Sequence, residues 1–230
     1  MDIKDILYEI LDEIGKPKIS ISLQKDIGSS KILIDEILFK AILKIKCNHI
    51  NSNQVDKNLK EVKSTFKQDL SRLSESLLHF LLTASTIPSS RKILLEKQEL
   101  DIVIPEIRIL KKYPEKSIII KFLNDNSIPL DFIDGISKLQ PYKKNLWIVS
   151  PTATYSQYKN YILYQTEELE KYLNKSNMDV PAFYFRDNEE NHSTTNKEQI
   201  LNIYPFNNII LDIETFLKDS NNKSFRFIHI

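Results

Sequence analysis

The chain has 230 residues, of which 41% are hydrophobic and 27% charged, and its net charge is +1. This balance predicts a globular body with a sizeable core and excludes a disordered chain. Near-neutrality argues against a uniformly basic nucleic-acid binder while leaving room for a local patch, and the single cysteine, Cys47, excludes an internal disulfide or a cysteine-based zinc site.

Apolar residues at Ile3, Ile6, Leu7, Ile10, Leu11 and Ile14 recur at helical spacing and predict a helix over 2–14, stopped by Gly15 and Pro17. Its acidic start is unlike a secretory leader, and no run of the chain nears the roughly 18–20 apolar residues of a membrane span. A cytoplasmic location without membrane contact is the expectation. KISISL, at 18–23, alternates and predicts a short strand. Ser29 or Ser30 is expected to cap a helix reaching about Asn48, with Ile32, Ile37, Leu38, Ile42 and Ile45 facing inward. A longer helix is predicted over 54–84, where apolar residues from Val55 to Phe80 repeat at steps of three and four. Its first half is a narrow stripe among charges. Its second half, LLHFLL, is apolar nearly all round, and His79 within it is expected to be a satisfied, partly buried histidine.

IPSS at 87–90 breaks that helix. Extended segments follow at 91–96, 99–104 and 117–122, with Gln98 in the tight connection of a hairpin. PEIRILKKYP predicts a helix with Pro105 at its first position and Pro114 at its close. Then come a helix at 129–139 and a strand at 145–150. Beyond lie a helix at 154–174, a strand at 180–186, the polar loop DNEENHSTTN, a brief helix at 197–203, a strand at 208–213, the short helix ETFLKD and a terminal strand FRFIHI. The alternation predicts an α/β fold, a helical N-terminal part followed by a mainly parallel or mixed sheet covered by helices. Its expected parts are 1–53, a core at 54–150, and a C-terminal extension of the same sheet or small subdomain at 151–230. Charge divides unevenly: residues 1–150 hold 24 Lys and Arg against 20 Asp and Glu, and residues 151–230 hold 8 against 11. Any basic surface is expected in the first two thirds.

The chemistry-bearing signals are few. The three glycines, Gly15, Gly28 and Gly135, are isolated, which excludes a phosphate-cradling loop and a dinucleotide fingerprint. The four histidines have no ligand-like spacing. Tyr155, Tyr158, Tyr161 and Tyr164 lie three apart beside Lys159, a pattern that could stack nucleobases but more commonly packs on a sheet. Asp212 and Glu214 follow an apolar run, where Asp212 is expected to cap the next helix. The remaining cluster is RKILLEKQELDIVIPEIRILKKYPEKSIIIKF, at 91–122, with Glu99, Asp101 and Lys121 at strand ends.

The order long helix, three strands, helix, strand over 54–150, together with ELDIVIP and IIIKF, resembles the restriction-endonuclease-like core of the PD-(D/E)xK superfamily. The resemblance implies Asp101 as a metal ligand on the second strand, Lys121 as the catalytic lysine on the third, Mg²⁺ as the cofactor, and DNA or RNA as the partner. One departure stands out: Ile119 occupies the position two before Lys121, where the family has glutamate. Either Glu75, on the preceding helix, or Glu99, two residues before Asp101, supplies the missing carboxylate, or the site is inactive. Glu106 is set aside as a first-turn helix residue. The plain alternative leaves all these charges as ordinary strand ends. A competing reading from another class is a non-enzymatic interaction module that pairs with itself or another protein through the 54–84 helix.

Overall fold

In this computed structural model the described residues are 2–15, 18–19, 22–23, 27–52, 59–124, 130–150, 153–154, 179–180, 183–187 and 201–220. Helix α1, Ile3–Ile14, opens on Asp2, whose carboxylate accepts the N–H of Lys4, and ends at Gly15 with φ +87°, a left-handed conformation that glycine adopts without a Cβ penalty. Lys18, Ile19, Ser22 and Leu23 are helical rather than extended, and Ile19 is buried against the helical layer. Six residues of alternation were too few to outweigh that packing.

Helix α2, Ile27–Ser52, begins before the expected serine cap; Ser30 instead donates its hydroxyl to the carbonyl of Ser22. Ile37, Leu38, Ile42 and Ile45 are buried as expected, joined by Leu33 and Ile34, whereas Ile32 is 47% exposed and lies off the inner face. Helix α3, Leu59–Ala84, carries Leu70, Leu73, Leu77 and Leu81 fully into the core. Each such side chain contributes roughly 1.5–3 kcal/mol through burial. From Phe66 onward α3 packs within the fold, and the side chains of the stripe from Val55 to Val62 lie outside the described residues.

The sheet has six strands, in the order β1 (Ser90–Leu95), β2 (Gln98–Ile104), β3 (Ile118–Phe122), β4 (Leu146–Ser150), β7 (Phe183–Asp187) and β8 (Leu201–Pro205). Strand β1 (Ser90–Leu95) and β2 (Gln98–Ile104) form a hairpin. Its two loop residues are Glu96 and Lys97, both at positive φ, and Gln98 pairs with Leu95 as the first residue of β2. Helix α4, Ile107–Lys112, follows with Glu106 at its N-cap, so Pro105 precedes the cap instead of opening the helix. A 3-10 turn, Pro114–Lys116, leads into β3, Ile118–Phe122. Helix α5, Leu130–Leu139, crosses over to β4, Leu146–Ser150. β3 and β4 form the parallel pair, and every other pairing in the sheet is antiparallel, so the sheet is mixed.

Beyond Ser150 the described backbone shows a two-residue pairing of β5, Ala153–Thr154, with β6, Asp179–Val180, where the start of a helix was expected. Strands β7, Phe183–Asp187, and β8, Leu201–Pro205, extend the main sheet. β8 stands where a brief helix was expected, and helix α6, Ile209–Asp219, where a strand was. NIILDI reads as a strand in isolation; continued to Leu217, its buried positions 209, 210, 213 and 217 are those of a helix. The tyrosine-bearing segment 155–174, the polar loop and the terminal FRFIHI lie outside the described residues.

One face of the sheet, through residues such as Ile102, Ile120 and Trp147, joins α1, α2, α3 and α6 in a single buried cluster. The opposite face forms a smaller cluster of Leu100, Val103, Leu110, Ile119 and Ile136. No helix among the described residues is long and apolar enough to cross a membrane.

Candidate functional site

Pairing between β2 and β3 stops at Ile102 opposite Ile120. One step further, where the ladder would place Asp101 opposite Lys121, the Asp101 side chain takes over. The backbone N–H of Phe122 donates to its Oδ2 at 2.9 Å, and Lys121 Nζ lies 3.1 Å from the same oxygen. Asp101 is buried, at 4% exposure. A carboxylate so placed costs free energy unless its lone pairs are served, and here the other oxygen is served as well: Lys92 Nζ lies 3.0 Å from Oδ1.

Lys92 arrives from β1. The β1–β2 register pairs Arg91 with Ile102 and Ile93 with Leu100, so Lys92 falls directly across from Asp101. Its φ is +46°, a left-handed conformation that costs a non-glycine residue on the order of 1 kcal/mol. The ladder is interrupted at this one residue, and its ammonium gains two carboxylates. Besides Asp101, it lies 3.1 Å from Glu75 Oε1 on α3. The same Glu75 oxygen receives Arg91 Nη2 at 3.5 Å. Partial burial opposes the charged form of Lys92, but the hydrogen bonds and attraction of Asp101 and Glu75 outweigh it and hold its pKa above the ordinary lysine value. Lys92 is therefore an ammonium at any physiological pH.

Of the residues the sequence singled out, the structure brings Asp101, Lys121 and Glu75 together. Glu99 is not brought in: it pairs with Leu94 toward the hairpin tip and is exposed. Ile119 is fully buried in the smaller cluster and pairs with Val103, away from solvent. Lys92 and Arg91 are the residues that sequence reasoning missed. His79, one helical turn after Glu75, is partly buried. Burial and the nearby Arg91 lower its pKa against the pull of Glu75. Its Nδ1 has no hydrogen-bond partner among the described residues, so the expected satisfied histidine is not what is found. Asp212 lies in the first turn of α6 rather than at a strand end or a cap, and burial raises its pKa to about 6 against the opposing charge of Lys31.

Two carboxylates and three cations share this end of the sheet. Mg²⁺ needs oxygen ligands with free lone pairs aimed at one point. Asp101 Oδ1 and Glu75 Oε1 do converge, but on the ammonium of Lys92. Among the described residues no group of three or more His, Cys, Asp or Glu is arranged to hold a metal ion. As arranged, these residues do not fit Mg²⁺. They form a closed ionic clasp whose half-exposed outer member, Lys92, faces solvent with a positive charge.

No known family model matches the chain, and no curated protein matches it. Solved structures do. A complex of restriction endonuclease PspGI with its substrate DNA is 14% identical with a TM-score of 0.50, and the match covers 95% of this chain and 94% of that one. Metal-depleted Ecl18kI in complex with uncleaved, modified DNA is 11% identical with a TM-score of 0.50, over 98% of this chain and 82% of the other. The same protein with uncleaved DNA is 12% identical at the same TM-score and coverage. The chain has a restriction-endonuclease-like fold.

Proposed function

We propose that this chain is a nucleic-acid-associated protein built on an endonuclease-like core whose Asp101 site is closed by its own lysines and does not cleave. The observation that carries the reading is Lys92 Nζ held between Asp101 and Glu75 at 3.0 and 3.1 Å. Support for the partner comes from the similar structures, which are complexes with DNA. In this reading Asp101 and Lys121 occupy the positions that the PD-(D/E)xK pattern gives to catalysis, and Glu75 is the second carboxylate. Lys92 supplies the positive charge that these carboxylates face, in the place where a divalent ion would sit. Ile119, packed in the core, adds no ligand.

The test is binding and cleavage of labelled DNA and RNA, single- and double-stranded, with Mg²⁺ or Mn²⁺. Binding that weakens steeply with salt is expected, because neutralised phosphates release counterions, and no cleavage is expected. Absence of any binding at low salt would remove the nucleic-acid partner. Metal-dependent cleavage that disappears in both Asp101→Asn and Lys121→Ala would show the site to be active.

A further inference from the structure

The other end of the same strands carries a second set of charges. On α4, Arg108, Lys111 and Lys112 share the exposed face while Leu110 points into the core. The chain then passes Tyr113 and the Pro114–Lys116 turn into β3. Before β4 it does the same: Tyr142 is followed by Lys143 and Lys144, in the 3-10 turn Lys143–Asn145. Because β3 and β4 are parallel, both turns lie at one end of the sheet. Lys121 and Asp101 lie at the other, roughly 13 Å along β3 at ~3.3 Å per residue.

The two turns are bound to each other. Asn145 Nδ2 donates to the carbonyls of Pro114 and Glu115 at 3.4 and 3.1 Å. Gln140 Nε2 donates to the carbonyls of Pro114 and Ser117, both at 2.9 Å. Gln140, Asn145 and Ser117 are all buried. Buried amides used in this way give the lysine-bearing turns a fixed relative position. Residues 107–117 and 140–146 hold six Lys or Arg and one carboxylate, Glu115, in a chain whose net charge is only +1. Tyr113 and Tyr142 are each 39% exposed, and Lys112 and Lys116 lie 5.2 and 5.5 Å from the centre of the Tyr113 ring.

We infer that this end of the sheet is a docking surface for the phosphate backbone of a nucleic acid, separate from the Asp101 site. Lysines are compact point charges suited to phosphate, and half-exposed aromatic rings among them are the platform on which unpaired bases stack. An anionic membrane is the weaker match, because α4 is a six-residue helix and offers no long apolar face to insert. The inference rests on the nucleic-acid reading above but assigns the contact to different residues.

The experiment measures anisotropy of a labelled single strand and of a duplex of the same sequence over a salt series. It compares the full chain with the variant Lys111→Glu, Lys112→Glu, Lys143→Glu, Lys144→Glu. All four residues are exposed, and circular dichroism checks the fold; if reversal unfolds the chain, the four Lys→Gln changes are read in the same way. At low salt the variant is expected to bind at least about tenfold more weakly, and its log–log salt slope to fall by ~0.9 per lost phosphate contact on duplex and ~0.7 on single strand. Unchanged affinity and slope would overturn this inference while leaving nucleic-acid association intact. No binding of the unaltered chain to either probe would overturn both. Equal binding to phosphatidylserine vesicles, lost in the same variant, would reassign the surface to lipid and overturn it.

Discussion

The two ends of β3 both gather lysines and use them differently. At the Phe122 end, Lys92, Lys121 and Arg91 face two carboxylates at oxygen–nitrogen distances of 3.0 to 3.5 Å. At the Ser117 end, residues 107–117 and 140–146 hold six Lys or Arg and one glutamate. Charges that are mutually satisfied in a partly buried place contribute to the fold and lose that contribution when one member is removed. Charges that crowd an exposed surface contribute little to folding and are available to a partner of opposite sign. The first end should therefore answer to mutation in stability, and the second in binding.

The largest effect is expected between the two ends, at Ile119. Restoring the glutamate of the endonuclease pattern with Ile119→Glu places a carboxyl among Leu100, Val103, Leu110 and Ile136, with no cation in that cluster. Burial of this kind raises a carboxyl pKa by several units, so the cost is about 4 kcal/mol or more. A large drop in the urea midpoint is the expected result. An unchanged midpoint would mean that the strand joining the two ends is loosely packed, and would weaken the contrast between them. Next is Asp101→Ala, which leaves Lys92 with Glu75 alone and the Phe122 N–H without its acceptor. Because Lys92 is half-exposed and can turn to water, about 2–3 kcal/mol is expected rather than more. A loss under about 0.5 kcal/mol would show that the clasp does not stabilise the fold.

The contrast was only half legible in the sequence. Asp101 and Lys121 could be placed, because charges flanking short apolar strands fix which end of each strand they occupy. Lys92 could not, because its position depends on register. Placing Gln98 in the turn shifts the hairpin, and a one-residue shift moves every facing pair. With the turn at Glu96 and Lys97, Lys92 falls across from Asp101. The lysine surface at the Ser117 end was legible only as a bias of charge toward the first two thirds. It is assembled by Gln140 and Asn145 reaching back some 25–30 positions, and such contacts leave no periodic trace. The C-terminal misreadings have another cause: a six-residue stretch with four apolar positions suits a strand or one side of a helix, and only the continuation to Leu217 decides.

A second pair of carboxylates, partly buried, sharpens what the clasp does for Asp101. Asp35 on α2 bonds to the Asn207 amide at 2.9 Å and has no ammonium at hydrogen-bonding distance among the described ion pairs. Burial outweighs that amide and the charge of Lys31, and raises its pKa to about 6; Asp212 is raised similarly. Both folded values lie above the unfolded one, so the stability they contribute is fully present below pH 4 and is lost as pH rises through about 6. Asp35→Asn with Asp212→Asn should therefore raise Tm above pH 7, and that advantage should fade as pH falls below 6. Using the difference between variant and parent cancels the opposite trend from His79, whose lowered pKa makes acid destabilising. An advantage that is constant with pH would show that these carboxylates are not held up by burial.

Lys92→Met should cost only about 1 kcal/mol, since the lysine is half-exposed and its relief from pairing is partial, yet it should change what the site accepts. Without the ammonium, Asp101 and Glu75 leave two negative charges facing one gap, and a divalent cation is the simplest species to fill it. Titration with Mn²⁺ followed by water-proton relaxation should show binding at least about tenfold tighter than in the parent chain. Equal affinity in the two proteins would mean that Lys92 does not compete with a metal for these oxygens.

The smallest effect on the fold is expected at the other end, from Lys143→Glu with Lys144→Glu. Both side chains are exposed. Asn145 Nδ2 holds their turn to the carbonyl of Glu115, and Trp147 Nε1 donates to the backbone carbonyl of Lys144 at 3.0 Å. Reversing both charges also relieves repulsion among the six cations, which offsets whatever the long side chains contribute by packing. The urea midpoint should thus move by no more than the equivalent of about 0.5 kcal/mol, while the affinity for labelled oligonucleotide and its salt slope both fall. The decisive comparison is with Asp101→Ala, expected to lower stability while retaining binding by the folded protein at this lysine surface. If the lysine pair proved as destabilising as Asp101→Ala, its charges would be part of the scaffold, and the division of labour between the two ends of β3 would be wrong.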